Sequence, residues 1–324
     1  MNSTTPNSCH PAERRPLIEL RRLYRYFGET RAVENMSFEV FPGEVFGYIG
    51  PNGAGKTTSM RILATLDEPT AGDAFVDGFS VIDDPDRVRR RLGFMPDYFG
   101  TYLNVNVREY LDFFARAYGL RGKERNRSIE SVMEFTMLDR LAEKPIDGLS
   151  KGMKQRLCLG RTMIHNPSVL ILDEPAAGLD PRARIELREM IAQLAQMGKA
   201  VLISSHILTE LAEICDKVGI IETGQLLAVG TVDEISAKSQ AKSQVRLRTL
   251  GDSQPLVQWL SKRDEMEDVL LELGFVAFTH QGGQAEQAIL LREIIGAGFD
   301  IVEFASKTKS LEDVFLHVTE GRVQ

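Results

Sequence analysis

A glycine-rich loop with the chemistry to hold a polyphosphate runs through Gly50, Pro51, Asn52, Gly53, Ala54, Gly55, Lys56, Thr57 and Thr58. An apolar run, 45–49, precedes the loop and a helical pattern, 59–66, follows it, so the loop joins a buried strand to a helix. Its glycines let successive backbone N–H groups turn toward one ligand, and the helix N-terminus adds partial positive charge. In this pattern Lys56 reaches the β- and γ-phosphates and the Thr57 hydroxyl ligates Mg²⁺. The alternative is a structural glycine turn, which rarely has this strand–loop–helix context.

Two carboxylates and a histidine follow buried strands further along the chain. Residues 169–172 are four consecutive large apolar residues, which indicates a strand buried on both faces, and Asp173 and Glu174 come directly after it. Parallel α/β sheets bind ligands at this end of their strands, so Asp173 is placed to hold Mg²⁺ and Glu174 to orient or deprotonate a water. His206 follows the buried run 200–203. A lone histidine there is more often structural, but its position after the same kind of strand makes it a candidate γ-phosphate contact.

Length and composition limit the possible functions. A chain of 324 residues suits one large domain and a smaller one. Its formal net charge of −7 disfavours nucleic acid as the main partner, because phosphate-backbone binding normally uses a basic face. The three cysteines are too few and too scattered for a disulfide framework or a metal site. No stretch approaches the roughly 18 apolar residues that cross a bilayer, so a membrane role would come through a partner.

The elements that position these residues follow from hydrophobic periodicity. Strands are predicted at 17–23 and 36–40, an edge strand at 73–77, and a buried strand at 92–95 that Pro96 and Asp97 close. Residues 98 to about 155 look like a helical insertion, with helical patterns at 107–120 and 128–141. Ser150 begins a helix that runs to about residue 165, another spans 182–197, and a final hairpin turns at Thr223 and Gly224.

The two ends of the chain differ in composition from this region. Residues 1–16 are polar with three prolines, which predicts a disordered tail. Residues 233–244 are rich in Lys, Ser and Gln and are interpreted as a linker. Beyond the linker, strands at 245–249, 276–280 and 300–305 and helices at 256–260, 285–297 and 311–318 predict a small α+β domain over 245–324.

With these motifs in order, residues 17 to about 232 resemble the ATP-binding subunit of ABC transporters. Residues 50–58 look like its Walker A loop, 169–174 like its Walker B strand, 177–180 like its D-loop, and His206 like its switch histidine. Phe27, directly before Gly28, matches the aromatic residue that stacks on the base. The resemblance implies an α/β fold with a RecA-like P-loop NTPase core, an antiparallel β-subdomain and a helical subdomain, here followed by the small C-terminal α+β domain.

The resemblance also implies a cofactor set and an assembly. ATP and Mg²⁺ bind in a head-to-tail dimer, in which each ATP lies between one Walker A loop and the partner's signature helix. Because Glu174, His206 and the signature all occur in this one sequence, a homodimer is expected. The implied catalytic residues are Glu174, His206, Lys56 and Asp97. The implied ATP-binding residues are the loop 50–58 together with Phe27, Ser150, Lys151, Gly152 and Asp180, and the implied Mg²⁺ ligands are Thr57, Asp173 and Asp97.

Two positions depart from the common pattern of the family. The signature, usually Leu-Ser-Gly-Gly-Gln, is here Leu-Ser-Lys-Gly-Met, so Met153 replaces the terminal amide while Ser150 and Gly152 are retained. Asp97 stands where the family usually has the Q-loop glutamine. A carboxylate can still accept a hydrogen bond from a Mg²⁺-bound water, but it adds negative charge near the γ-phosphate and cannot donate as an amide does.

Two short runs, 95–100 and 310–315, resemble the branch whose ATPases pair with separately encoded exporter permeases. This implies an ATPase that is cytoplasmic and peripheral on the membrane through its permease. The acidic net charge already predicts that nucleic acid is not a partner. One alternative is a soluble ABC ATPase that remodels a ribosome or a DNA complex. The single Walker A loop, the short helical insertion and the acidic balance disfavour it. A second alternative is a regulatory module that holds ATP without turnover. The presence of Glu174 and His206 disfavours this alternative.

Overall fold

The computed structural model describes residues 14–98, 100, 104–207, 213–231, 234–235, 243–263, 265–272, 274–280 and 282–307. The chain forms two compact units. Residues up to 207 together with 214–226 belong to the first, and residues 208–213 together with those from 227 onward belong to the second. Most of the predicted N-terminal tail and the whole predicted helix at 311–318 lie outside the described residues.

Up to residue 230 the described chain folds into ten strands and six helices longer than one turn. The strands are β1 (Ile18–Phe27), β2 (Thr30–Val40), β3 (Val45–Ile49), β4 (Ala71–Val76), β5 (Phe79–Ser80), β6 (Leu92–Met95), β7 (Val169–Leu172), β8 (Ala200–Ser205), β9 (Lys217–Glu222) and β10 (Gln225–Gly230). The helices are α1 (Lys56–Leu63), α2 (Pro85–Arg91), α3 (Val107–Ala117), α4 (Gly122–Phe135), α5 (Lys151–Met163) and α6 (Pro181–Gln196).

The first sheet is antiparallel, with the strand order β2-β1-β4-β5. Ile18, Leu20 and Leu23 of β1 are buried against the hydrophobic core of the unit. The prediction of an edge strand at 73–77 is wrong, because β4 lies between β1 and the two-residue strand β5. Asp77 and Gly78 both adopt positive φ angles, 51° and 80°, which is the backbone of a tight hairpin turn and returns the chain to pair with β4.

The second sheet holds the predicted buried strands and has the order β10-β9-β3-β8-β7-β6. The pairs β3·β8, β3·β9, β7·β8 and β6·β7 are all parallel. Every residue of β3, β7 and β8 is buried, as expected for strands whose two faces are both covered. Because these strands run in the same direction, the loops that follow β3, β6, β7 and β8 leave from one edge of the sheet.

Helices α3 and α4 lie within the predicted helical insertion, and α5 begins near its end. Asn106 and Glu109 form a reciprocal capping box at the start of α3, and Ser150 caps α5. Helix α3 ends at Ala117, three residues before the predicted end, and Gly119 follows with a φ of 83°. Helix α4 begins six residues earlier than predicted and ends at Phe135, two residues before Met137, whose φ is 53°. The elements are as predicted, and their boundaries follow the local backbone.

The second unit contains four strands and two helices from residue 243 onward. They are β11 (Ser243–Thr249), α7 (Gln254–Leu260), β12 (Met266–Glu272), β13 (Phe275–His280), α8 (Gln284–Gly296) and β14 (Ile301–Lys307). The sheet is antiparallel with the order β12-β13-β11-β14, which is the ferredoxin-like β-α-β-β-α-β topology. Val245, Leu247, Val276, Phe278 and Ile294 lie in its own hydrophobic core.

Strand β12 was not predicted from the sequence. Its pairing with β13 shifts between Glu267 and Leu270, and Asp268 inside it has a φ of 53°, so the strand is bulged and its apolar residues do not alternate. In the described part of the chain, no helix combines the length and the apolar character that crossing a membrane requires.

Candidate functional site

The glycine-rich loop 50–58 connects β3 to α1 at the carboxyl edge of the parallel sheet. Gly55 precedes the helix with a φ of 103°, and a Cβ atom there would collide with the backbone oxygen of Ala32, so this position requires glycine. Lys56 folds back over the loop, and its Nζ atom donates to the backbone oxygens of Gly50 at 2.5 Å and Pro51 at 3.2 Å. The loop therefore has its lysine ammonium already turned inward.

The ammonium of Lys56 also faces the end of β7. Its Nζ lies 3.7 Å from Oε1 of Glu174, and the lysine is almost fully buried. Burial lowers the pKa of Lys56, while the charges of Glu174 and Asp173 oppose that shift. The cation is thus stabilised by carboxylates that follow β7, which β8 separates from β3 in the sheet.

Asp173 is the centre of a hydrogen-bond network between three elements. Thr57 Oγ1 donates to its Oδ2 at 2.8 Å, and Ser204 Oγ donates to its Oδ1 at 2.6 Å. Burial raises the pKa of Asp173, these two hydrogen bonds lower it, and the charges of Asp97 and Glu174 raise it. The carboxylate is therefore held in one orientation in surroundings that already carry excess negative charge.

The residues present fit a Mg²⁺ ion at this point. A threonine hydroxyl and a carboxylate oxygen 2.8 Å apart are hard oxygen ligands, which Mg²⁺ prefers. No cluster of three or more His, Cys, Asp or Glu side chains suited to a metal occurs among the residues that the structure describes. The pair Thr57 and Asp173 is the kind of protein contribution that Mg²⁺ sites of nucleotide enzymes use, in which one or two protein groups act together with phosphates and waters.

Glu174 is held by its backbone as well as by its side chain. Its φ is 47°, in the left-handed region, and its N–H donates to Ser204 Oγ at 2.8 Å. Its Oε2 atom lies 2.8 Å from Nδ1 of His206. The other oxygen, Oε1, is buried and has no hydrogen-bond partner among the described residues. An acceptor in that state, beside Lys56 and the His206 ring, is suited to bind a water.

The signature residues occupy a different place in the same unit. Ser150 Oγ accepts from Met153 N at 3.3 Å, and Asp180 Oδ2 accepts from Ala183 N at 3.3 Å, so each caps the helix that it precedes. Both line a hollow of about 120 Å³, together with Gly152, and no residue of the loop 50–58 lines it. We call this the signature hollow.

The D-loop lies against the start of the signature helix in the same chain. Lys151 is exposed, and its ammonium lies so close to Gly178 that a Cβ atom there would collide with it. Gly178 has a φ of 66°, which also favours glycine. The structure thus brings Lys56, Thr57, Asp173, Glu174 and His206 together and keeps the signature hollow separate.

Two further predicted residues lie at the ends of strands. Phe27 ends β1, and the residue is 48% exposed. Asp97 is exposed two residues after β6, and its charge is felt at Asp173. Sequence reasoning missed Ser204, which joins Asp173 to the Glu174 backbone, and Gln155, whose Nε2 donates to Pro175 O at 2.6 Å. A serine ending a buried strand was the available signal for Ser204.

Comparison with known proteins gives concordant results. A family model described as ABC transporter matches residues 33–177. The chain is 39% identical over 223 residues to the probable multidrug ABC transporter ATP-binding protein YbhF of Escherichia coli, covering 69% of this chain and 38% of YbhF. It is 32% identical over 304 residues to Nod factor export ATP-binding protein I of Cupriavidus metallidurans, covering 94% of this chain and 97% of that relative.

A solved structure gives the same result for the fold. It is described as the ATP binding subunit of an ABC transporter, has a TM-score of 0.63 and is 32% identical in sequence. The match covers 69% of this chain and 93% of that one. The predicted RecA-like P-loop fold is therefore confirmed, while the chain spans well under half the length of YbhF.

Proposed function

Because this chain belongs to the ATP-binding subunits of ABC transporters, we propose that it hydrolyses ATP and drives an exporter through a separate membrane permease. The observation that carries the proposal is the continuous set of contacts from Lys56 through Glu174 to His206. These contacts bring an ammonium, a carboxylate whose Oε1 has no hydrogen-bond partner among the described residues, and an imidazole to one edge of the sheet. The attack of water on a phosphoryl group requires groups of these three kinds.

Each residue has a distinct role in this proposal. Lys56 and the amides of the loop hold the phosphates, and Phe27 stacks on the base. Thr57 and Asp173 would hold Mg²⁺, which supplies charge neutralisation on the phosphates when it is bound. Glu174 orients the attacking water and accepts its proton, and His206 contacts the γ-phosphate. Catalysis then depends on positioning and on electrostatic stabilisation of the developing charge.

ATP-dependent homodimerisation is the second part of the proposal. The signature hollow lies apart from the loop 50–58 in one chain, so Ser150, Lys151, Gly152 and Asp180 would act on the nucleotide of a second copy. Closure of that dimer would exclude water from the site and complete it. Glu174, His206 and the signature residues all occur in one sequence, so two equivalent sites are consistent with a homodimer.

Asp97 is proposed to act through waters bound to Mg²⁺. Its charge already influences Asp173, one of the two proposed protein ligands of the ion. A carboxylate in this position accepts hydrogen bonds from coordinated water in place of the amide that the family usually has. Asp97 would then couple the occupancy of the metal site to the helical region that follows β6.

Export, rather than import or macromolecular remodelling, is favoured by the relatives. One is named a multidrug transporter subunit and one a Nod factor export protein, and these substrates belong to those proteins. The formal net charge of −7 disfavours a nucleic acid partner. We propose that the chain works at the cytoplasmic face of the membrane, attached to its permease. Membrane co-purification with the membrane protein encoded beside its gene tests this, and a purely ribosome-bound chain would contradict it.

The variant Glu174→Gln tests hydrolysis and dimerisation together. Its amide keeps the size of the side chain but cannot accept a proton, so phosphate release should fall by at least about 100-fold. ATP affinity should stay within about twofold, because the phosphates are bound by other groups. With ATP and Mg²⁺, light scattering should give twice the mass found without nucleotide.

Glu134→Gln, at an exposed position on α4, is the matched control and should leave turnover unchanged. Undiminished phosphate release in Glu174→Gln would remove Glu174 from its proposed role. A variant that binds ATP tightly but stays monomeric would instead contradict the dimer.

A further inference from the structure

The aromatic ring of Phe27 has a cation on one face. The guanidinium carbon of Arg25 lies 4.4 Å from the centre of the ring, within the range of a cation–π contact. Phe27 is the last residue of β1, before the turn at Gly28, and the residue is 48% exposed. One face is therefore covered by Arg25, and the exposed part of the ring remains accessible to a planar ligand.

Arg25 is itself fixed by the segment that follows α1. Asp67 Oδ1 lies 3.8 Å from Arg25 Nη2, and Asp67 Oδ2 accepts from Arg61 Nε at 2.7 Å. Arg61 is in the last turn of α1, the helix that Lys56 begins. A connected set of side chains, Phe27–Arg25–Asp67–Arg61, thus joins the end of β1 to the helix that starts at the phosphate loop.

The backbone reinforces this connection. Tyr26 N donates to Thr70 Oγ1 at 3.0 Å, and Thr70 N donates to Tyr24 O at 2.7 Å. Thr70 is therefore hydrogen-bonded to the two β1 residues on either side of Arg25. The Nε atom of Arg25 is buried and has no hydrogen-bond partner among the described residues. Its hydrogen bonding is therefore incomplete, and its closest described contacts are the Phe27 ring and Asp67.

We propose that Arg25 is a positioning residue for nucleotide binding: it holds the Phe27 ring in the orientation that stacks on the base. An exposed ring at a strand end would otherwise exchange between rotamers, and fixing it beforehand reduces the entropy lost on binding. The set Phe27–Arg25–Asp67–Arg61 then fixes the position of the base-stacking ring relative to the phosphate-binding helix α1. This inference rests on the proposed function, in which Phe27 stacks on the adenine.

The experiment compares two probes on the full chain. Calorimetry would give dissociation constants for ATP and for inorganic tripolyphosphate, which carries a similar charge but no base, with Mg²⁺ at about 0.15 M salt. Arg25→Met retains much of the apolar stem and removes the cation. It should weaken ATP binding by about three- to tenfold and leave tripolyphosphate binding within about twofold.

A double-mutant cycle adds the second test. Phe27→Ala should weaken ATP binding by about tenfold or more, and Arg25→Met should then have no further effect in the Phe27→Ala background. Arg31→Met is the matched control, since Arg31 lies 5.9 Å from the ring of the neighbouring Tyr26 and pairs with Glu34. It should change neither constant.

Equal weakening of both probes would overturn the inference, because Arg25 would then act by its charge alone. So would additive effects of the two substitutions. If Phe27→Ala leaves ATP affinity unchanged, the base-stacking role fails as well, whereas the hydrolysis test on Glu174 is unaffected. If Arg25→Met does not fold, the variant Asp67→Asn is used in its place, because it removes the ion pair that fixes Arg25. It should weaken ATP binding by a smaller factor and leave tripolyphosphate binding unchanged.

Discussion

Two regions of the first unit carry the residues proposed to face phosphate, and they are built differently. At the carboxyl edge of the parallel sheet, Thr57 and Ser204 each donate a hydrogen bond to Asp173, and Glu174 contacts His206. In the signature hollow, Ser150 and Asp180 each cap their own helix. The first region is assembled within one chain. The second is a surface whose exposed polar groups could bind another molecule.

The largest effect on ATP turnover is expected at Ser150, in the signature hollow. Ser150→Asp keeps the cap of α5, because Asp is as good an N-cap as Ser, but it places a negative charge where a partner's phosphate is proposed to bind. We expect ATP turnover to fall by at least about 100-fold, with the free energy of unfolding unchanged. Steady-state phosphate release and urea denaturation measure the two quantities.

Ser150→Asn is the matched control, since it retains the cap without the charge. It should keep far more activity than Ser150→Asp. If both variants turned over ATP like the unmodified chain, the signature hollow would have no part in hydrolysis, and the contrast between the regions would be purely structural.

An intermediate effect is expected at Asp97, which follows the edge strand β6 of the parallel sheet. Asp97→Asn removes a charge that influences Asp173. We expect the Mg²⁺ concentration for half-maximal ATPase activity to change by about three- to tenfold, because the residue is proposed to act through coordinated waters. A Mg²⁺ titration of basal and permease-stimulated ATPase measures this. Unchanged Mg²⁺ dependence and unchanged rates in both assays would remove Asp97 from the site.

The smallest expected effect concerns the stability of the assembled region. Burial raises the pKa of Asp173, so its ionised form destabilises the nucleotide-free fold. That penalty is absent at pH values below the ordinary Asp pKa of about 4, where the carboxyl is protonated in both states. It grows as the pH rises from that value to the raised native pKa and is constant above it. Asp173→Asn should therefore raise the free energy of unfolding by about 1 kcal/mol at pH 7, and the gain should vanish toward pH 4.

Urea denaturation without Mg²⁺ or ATP at the two pH values measures this difference. The same variant should lose Mg²⁺-dependent ATP affinity, so stability and function would change in opposite directions. A loss of stability at pH 7 would mean that the hydrogen bonds from Thr57 and Ser204 outweigh the cost of burying the charge.

The assembled region was the more predictable of the two. Its strands are continuous apolar runs, and Lys56, Asp173, Glu174 and His206 stand immediately after strands or a glycine loop, where chain position alone determines which sheet edge they reach. Spacing along the chain therefore carries much of the geometry. The α/β fold follows from the same runs and is confirmed by the comparisons.

Contacts between distant segments could not be predicted in this way. Ser204 meets Asp173 because β7 and β8 are neighbours in a given register, and Arg25 meets Asp67 because residues 67–70 return to β1. The edge of the first sheet depended on a strand of two residues, and β12 was hidden by a bulge at Asp268. Pairing partners and irregular strands leave little trace in local periodicity.

The left-handed backbone of Glu174 has a consequence for how this protein can change. A glutamate at a φ of 47° carries a conformational penalty of about 1 kcal/mol, which the hydrogen bond from its N–H to Ser204 helps to offset. Glycine or asparagine tolerates that backbone better and would remove the carboxylate that is proposed to activate water. Screening variants for heat resistance alone would therefore enrich inactive chains at this position, so the glutamate persists only where turnover itself is under selection.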